Sequence, residues 1–241
     1  MGDFLTAIWL CDVGNIALAP VEQQDEWLSG LLTGAPVRRA ERVLRIAAPA
    51  ARLESAAVTA LLYYALAHPP LFAACDAVSF VRPQALRCAA KKTEDAPEWT
   101  TGPHGQPFPD GIAVGGKRWF VSLSHSGGFA AAAISEQPVG LDVQRLPGWP
   151  AEHARRIRSR IAHPGDPPPK GDDTAAVADC CRLWALKESA VKLTGEGFSH
   201  FPNSFAVTED GGCYAAQLGG RKVAMRLYPS EDAVIAAAWF A

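Results

Sequence analysis

No C-x-x-C pair occurs among the six cysteines, Cys11, Cys75, Cys88, Cys180, Cys181 and Cys213, so zinc ribbons and thioredoxin-like redox chemistry lose their usual spacing. The even count does not make a disulfide framework, because that inference is strong for short secreted chains and this one has 241 residues. No uncharged apolar run reaches the roughly 18 residues of a membrane span. Met1 to Leu10 carries Asp3 and lacks the basic start of a secretory signal. A basic excess is missing too: 23 Lys and Arg stand against 25 Asp and Glu, a formal charge of -2. That balance points away from nucleic acid and makes any anion site local. The expectation is a cytoplasmic protein with reduced thiols that engages neither membrane nor nucleic acid.

Hydrophobic residues make up 49% and charged residues 20%, which excludes disordered and fibrous classes and leaves an ordinary globular chain of one or two domains. The run Phe4 to Leu10 reads as a strand. Helix formers fill Arg38 to Ile46 and Ala51 to Ala67, with Pro49 between them and His68-Pro69-Pro70 as a stop. Lys91 to Gly116, rich in Pro, Gly and charge, reads as a loop. Strands are expected over Trp119 to Leu123 and Phe129 to Ser135, joined through a turn at Ser124-His125-Ser126-Gly127-Gly128, and again over Val139 to Val143. A short basic helix holds Arg155-Arg156-Ile157-Arg158-Ser159-Arg160, and the loop His163 to Gly171 follows it. A long helix should run from Thr174 to Thr194, stopped by Gly195 and Gly197, with Leu183, Leu186, Ala190 and Leu193 as its buried stripe. Three short strands are expected between Ser204 and Ala241. Each half thus runs strand, helix, strands, which suggests an α+β unit repeated about a boundary near Pro138.

Three clusters carry possible chemistry. On the long helix Trp184, Glu188 and Lys192 recur at i, i+4 and i+8, with Lys187 at the margin. Taken alone this is the common pattern of a surface ion pair; the other reading is a carboxylate that binds a metal or takes a proton beside an anion-steadying lysine. Along Val139 to Val143, side chains alternate, so Asp142 and Gln144 share a face. A carboxylate in an apolar strand is costly unless an arginine or a cation compensates it, and oxygen ligands of this kind suit Mg²⁺ shared with phosphate. The stretch Ser122 to Gly128 combines hydroxyls, an imidazole and glycines, as either a satisfied turn or a phosphate cradle. It lacks the G-x-S-x-G of a serine hydrolase. Arg52, with Arg38, Arg39 and Arg45 before it, could meet a second phosphate or simply face solvent.

Together, Gly140-Leu141-Asp142-Val143-Gln144, the stretch Ser122 to Gly128, and Trp184-Ala185-Leu186-Lys187-Glu188-Ser189-Ala190-Val191-Lys192 resemble the Sfp-type 4′-phosphopantetheinyl transferases in order and spacing. The family pattern W-x-x-K-E-[AS]-x-x-K is met at every defined position. Gly195-Glu196-Gly197-Phe198 and Pro202-Asn203-Ser204-Phe205 look like its continuation. The likeness is clearest over about residues 100–210. It implies an α+β fold made by pseudo-twofold duplication of a subdomain, residues 1–137 and 138–241, each with a helix packed on a small antiparallel sheet. The active site would lie in the cleft between the halves.

The implied activity is that of a holo-[acyl-carrier-protein] synthase. It would transfer 4′-phosphopantetheine from coenzyme A to a serine of an apo acyl or peptidyl carrier protein, with release of 3′,5′-adenosine bisphosphate. By the same resemblance Asp142, Gln144 and Glu188 would face Mg²⁺, and Glu188 would deprotonate the serine. Lys192 would stabilise phosphate charge and Lys187 would position Glu188 or the phosphates. Ser124 and His125 would contact coenzyme A phosphates, and Arg52 would lie near the adenosine 3′-phosphate. The basic run 155–160 could dock an acidic carrier. A monomer would suffice, since one chain holds both halves. Two departures stand out: Gln144 replaces a frequent Glu, and Gly105-Gln106-Pro107 replaces Gly-Lys-Pro, leaving Gln106 to donate a hydrogen bond without charge. A non-catalytic relative that binds coenzyme A or carrier domains is the alternative.

Overall fold

The computed structural model describes residues 6–68, 78–89, 97–114, 116–146, 149–170, 172–173, 175–197, 201–228 and 230–241. The expected features at Phe4-Leu5, Pro69-Pro70, residues 91–96, Gly171, Thr174, Phe198 and Cys75 lie outside them, as does the Cys88 side chain. Among the described residues, ten strands form two five-stranded sheets. The first contains β1 (Thr6–Asp12), β2 (Val78–Phe80), β3 (Ile112–Val114), β4 (Lys117–Ser126) and β5 (Phe129–Ser135), in the order β2-β1-β5-β4-β3. The second contains β6 (Val139–Arg145), β7 (Val207–Asp210), β8 (Cys213–Leu218), β9 (Arg221–Tyr228) and β10 (Ala233–Phe240), in the order β6-β10-β9-β8-β7. Apart from the parallel β1–β2 pair, neighbouring strands are antiparallel. The series β1-β5-β4-β3 in one sheet and β6-β10-β9-β8 in the other arise in the same chain order.

Helices α1 (Gly14–Ala17), α2 (Val21–Leu32), α3 (Val37–Leu44), α4 (Pro49–Ala67) and α5 (Pro83–Ala89) belong to the first half of the chain. Helices α6 (Ala151–Ile161) and α7 (Ala176–Thr194) belong to the second. Pro49 is the first residue of α4, where its missing N–H costs nothing. Gly195 ends α7 at φ 71°, a left-handed conformation that glycine adopts without strain. The tail folds into four strands rather than three. The Ser-His-Ser segment extends β4 rather than forming the turn. The reversal needs only Gly127 and Gly128, at φ 56° and 94°, the pair of positive angles that a two-residue hairpin demands.

The sheets stack, and a helix covers each outer face. Along β1, Trp9 and Cys11 join the core under α4, while Ile8 and Leu10 face the other sheet. Along β10, Val234, Ala236 and Ala238 pack under α7, while Ile235, Ala237 and Trp239 face the first sheet. Burial on both faces explains why Phe129-Ala130-Ala131-Ala132-Ala133-Ile134 shows no polar alternation. Among the described residues, no helix is long and apolar enough to cross a membrane.

One glycine sets the closeness of α7 to β6. A Cβ on Gly140 would collide with the Ser189 carbonyl oxygen and lie 2.6 Å from the Leu193 nitrogen. Because Asp142 shares that face of β6, the same approach brings α7 over the carboxylate. Gly140→Ala should therefore destabilise the fold by about 1–3 kcal/mol through forced separation of helix and strand. The check is a lowered urea midpoint with an unchanged slope; wild-type stability would mean that α7 does not pack on β6 here.

Candidate functional site

Three serines at alternate positions of β4, Ser122, Ser124 and Ser126, point to one side, towards β6. Although β4 and β6 belong to different sheets, the Leu141 N–H donates to Ser122 Oγ at 2.9 Å and the Val143 N–H to Ser124 Oγ at 3.2 Å. Between these two anchors lies Asp142, 3% exposed. Its Oδ1 accepts from Lys192 Nζ at 2.6 Å and from the Ser124 hydroxyl at 2.8 Å, and its Oδ2 from Gln144 Nε2 at 2.7 Å. Lys192 Nζ also donates to Ser124 Oγ at 2.9 Å. The sequence expectation that Asp142 needs compensation is met by a lysine, four residues along α7 from Glu188.

Glu188 is half-buried, and its Oε1 is a buried oxygen without a hydrogen-bond partner among the described residues. Burial pushes its carboxyl pKa up from the ordinary 4.5, the Asp142 charge raises it further, and Lys192 partly offsets both. A carboxylate so placed is a better proton acceptor than an exposed one. Glu188 and Lys192 line a cavity of about 460 Å³ whose apolar walls come from Pro107, Val121, Leu123 and Val191. Gln106 lines the same cavity, held over the end of α7: a Cβ on Gly195 would collide with its Oε1. Glu188, Lys192, Asp142 and Gln106 are thus brought together.

Other expected site residues are placed differently. Lys187 is fully buried on another side of α7, where its Nζ pairs with Asp166 Oδ2 at 2.9 Å and donates to the Pro202 and Phe205 carbonyls at 2.7 Å each. Asp166 in turn accepts from the backbone N–H groups of His163 and Val207. The expectation that Lys187 positions Glu188 or the phosphates finds no donor left for either: all three are used on Asp166, Pro202 and Phe205. Burial lowers its pKa, partly offset by the Asp166 hydrogen bond and charge. Arg52 donates to the Ile46 carbonyl at 2.8 Å and more weakly to that of Ala47, so it closes the α3–α4 connection and does not line the cavity.

The Ser124 hydroxyl is committed to Asp142, Lys192 and β6. A phosphate cradle made by a loop backbone is excluded for Ser124 to Ser126, because β4 pairs there with β5. The Gln144 oxygen accepts from the Ser126 hydroxyl at 3.3 Å while its nitrogen faces Asp142. In this arrangement Gln144 braces Asp142 and does not offer it a neighbouring oxygen. His125 lies on the opposite face of β4, with Nδ1 3.0 Å from Glu54 Oε2. Within the basic run of α6, Arg158 is spent on Asp179 at 2.6 Å and on the Pro167 carbonyl, and Arg155 pairs with Asp173. Arg155, Arg156 and Arg160 are exposed.

Sequence reasoning missed Glu54 and Asp166. Glu54 could have been found by the logic applied to Asp142, an acid inside an apolar stretch. Asp166, in a Pro- and Gly-rich loop, gave no such signal. Burial pushes the Cys11 and Cys181 thiols up to about 12 and raises that of Cys180, which excludes these three as nucleophiles.

Among the described residues, no three His, Cys, Asp or Glu side chains converge on a cation position. Asp142 and Glu188 form a pair of carboxylates coupled by charge, with one buried oxygen unpartnered. Such a donor set fits Mg²⁺, which takes one or two carboxylates and keeps water and phosphate as its other ligands.

Residues 138–238 match the 4′-phosphopantetheinyl transferase superfamily. This segment, less than half of the chain, carries Asp142, Gln144, Glu188 and Lys192. The chain is 32% identical over 98 residues to 4′-phosphopantetheinyl transferase psf-1 of Bacillus pumilus, covering 37% of this chain and 39% of that one. It is 33% identical over 86 residues to 4′-phosphopantetheinyl transferase Sfp of Bacillus subtilis (strain 168), covering 36% and 38%. A further Bacillus subtilis 4′-phosphopantetheinyl transferase is 28% identical over 114 residues, covering 46% and 50%. The matched stretches thus span half or less of these relatives' length.

The raised Glu188 pKa makes stability depend on pH. The folded state holds that proton more tightly than the unfolded chain, so folding carries a penalty above the raised pKa that vanishes below 4.5. In the absence of divalent cations, Glu188→Gln should raise the melting temperature at neutral pH, and the gain should fade as pH drops through the raised pKa towards 4.5. Parallel melting curves for both proteins across pH test this; a gain that persists below 4.5 would mean that the effect is not the Glu188 charge.

Proposed function

We propose that this protein transfers 4′-phosphopantetheine from coenzyme A to a serine of an apo acyl or peptidyl carrier protein. The observation that carries this reading is the Glu188 carboxylate, with its unpartnered oxygen, at the wall of a cavity beside the Asp142–Lys192 pair. The names of the Bacillus relatives support it. We further propose that residues 1–137 and 138–241 are duplicated halves, which the matching strand orders support, and that one chain is sufficient for activity.

In the proposed reaction the carrier serine oxygen bonds to the β-phosphorus of coenzyme A. The bridging P–O bond breaks, and 3′,5′-adenosine bisphosphate leaves. Glu188 takes the serine proton, a role that its raised pKa suits. Lys192 places a positive charge at the cavity, where developing phosphate charge can be stabilised. Asp142 and Glu188 would hold Mg²⁺. When bound, that ion neutralises phosphate charge and orients the displacement. Pro107, Val121, Leu123 and Val191 keep water from the apolar part of the donor, while Gln106 offers an uncharged hydrogen bond. His125 remains the candidate for a phosphate contact, and exposed Arg155, Arg156 and Arg160 for docking an acidic carrier.

The test is intact-mass analysis of an apo carrier protein incubated with this protein, coenzyme A and Mg²⁺. The carrier should gain one phosphopantetheine arm, and Glu188→Ala should reduce the rate by at least about a hundredfold, as loss of a general base does. No gain on several acyl and peptidyl carriers, with coenzyme A still bound, would favour a non-catalytic binder.

Gln144 adds no charge beside Asp142, so the cation would meet two carboxylates. Gln144→Glu should tighten Mg²⁺ binding in a calorimetric titration without coenzyme A by about tenfold, roughly 1.4 kcal/mol. Unchanged affinity would place position 144 outside the cation's reach.

A further inference from the structure

Glu54 is an acid in the second turn of α4, 8% exposed, within the otherwise uncharged run Leu53 to Ala67. No lysine or arginine pairs with it among the described residues. Its Oε2 lies 3.0 Å from His125 Nδ1, and its Oε1 accepts the Gly128 N–H at 2.6 Å. Both contacts fall on the β4–β5 hairpin, whose tip is fixed from other sides as well. The Val13 N–H donates to the Gly128 carbonyl at 2.7 Å, and a Cβ on Gly128 would lie 2.6 Å from Gly14 Cα. The ring of His125 therefore sits on a rigid turn, and its side chain keeps 37% of its surface exposed.

A carboxylate only accepts hydrogen bonds, so His125 Nδ1 must carry the proton. Nε2 is then the nitrogen left for a ligand, and when it is protonated the ring presents a charged donor whose charge Glu54 balances from behind. We propose that Glu54 is a positioning residue that fixes the tautomer and orientation of His125 for contact with a donor phosphate. This rests on the reading above that His125 meets a phosphate of coenzyme A. It adds a residue from the first half of the chain, outside the matched segment, to the recognition of the donor.

Glu54→Gln separates this role from a structural one. The Gln oxygen can still accept from the Gly128 N–H, which preserves the hairpin anchor. Its NH₂ then faces Nδ1 as a donor, so the ring proton must move to Nε2 and the neutral tautomer reverses. In ¹⁵N NMR of the neutral ring, wild-type Nδ1 should give a pyrrole-type shift and the variant a pyridine-type shift. In calorimetry, coenzyme A should bind about tenfold more weakly to the variant, the difference between a charge-assisted and a neutral hydrogen bond. The same substitution in a His125→Ala background should change affinity less than twofold, because Glu54 acts through the ring.

A pyridine-type Nδ1 in the wild type, unchanged affinity in Glu54→Gln, or an equal loss in the His125→Ala background would each overturn the proposal. If the wild type binds no coenzyme A, the phosphate reading itself fails, and the proposed role of Glu54 fails with it whatever the NMR shifts. Should Glu54→Gln fold poorly, the double-mutant comparison is replaced by Glu54→Asp. Its shorter carboxylate should restore the wild-type nitrogen shifts and part of the affinity, and pyridine-type Nδ1 there would count against the proposal.

Discussion

The free edge of β6 is the constraint on which the rest of the site depends. An edge strand presents backbone N–H groups that must find partners, or the edge invites another chain. Here the partners are side chains: Ser122 and Ser124 of β4 accept from Leu141 and Val143. A hydroxyl reaches farther than a carbonyl in a flat ladder, so the two sheets can be joined while remaining stacked. The hydroxyl also has bonding capacity to spare, and Ser124 spends it on Asp142 and Lys192. The bond that pins one half to the other therefore also fixes the carboxylate. A second polar pin, from Trp239 Nε1 to Thr6 Oγ1 and on to Ser135 Oγ, also crosses between the sheets. Arg145 bonded to Asp12 adds a third.

Charge in the site is arranged so that one carboxylate is satisfied and the other is not. Asp142 is surrounded by Lys192, Ser124 and Gln144, whereas Glu188 loses water without gaining a full set of partners. Burial and the nearby Asp142 charge raise the proton affinity of Glu188, and Lys192 offsets only part of that. That division gives the more basic role to Glu188. The two lysines of the helix motif show how strongly position decides. Lys192 and Lys187 are five residues apart, about 140° around an α-helix. One reaches a cavity, and the other is sealed against Asp166.

Much of this was legible in the sequence because it follows from periodicity. The α7 stripe, the Gly195 stop, the shared face of Asp142 and Gln144 and the break before α4 all depend on local spacing, and the structure has them. The failures were of two physical kinds. Ser124-His125-Ser126 looked like a turn because polar residues and glycines adjoin. In fact alternate serines face β6 and alternate residues face α4, a period of two that is hidden because one buried partner is polar. Lys187 was misplaced because a motif fixes which residues recur but not which helix face meets a distant loop. Its partner lies 21 positions earlier in a segment without periodic signal.

The similar strand orders raise the question of why the Asp142, Glu188 and Lys192 cluster arises in one half and has no counterpart in the other among the described residues. The difference lies at corresponding edges. β1, which occupies in its sheet the place that β6 occupies in the other, has its outer edge covered by the parallel strand β2 through the register Ile8 to Val78 and Leu10 to Phe80. Backbone pairing there leaves no opening beside the strand. The edge of β6 receives no sixth strand. Among the described residues it is met by serine side chains, and these leave room for Asp142 to turn towards α7 and for a cavity to form between α7, β4 and the 104–107 loop. Covering one edge with backbone and the other with hydroxyls leaves Asp142, Glu188 and Lys192 clustered in the second half, while the first half supplies β4, the cavity's far wall and Glu54 behind His125.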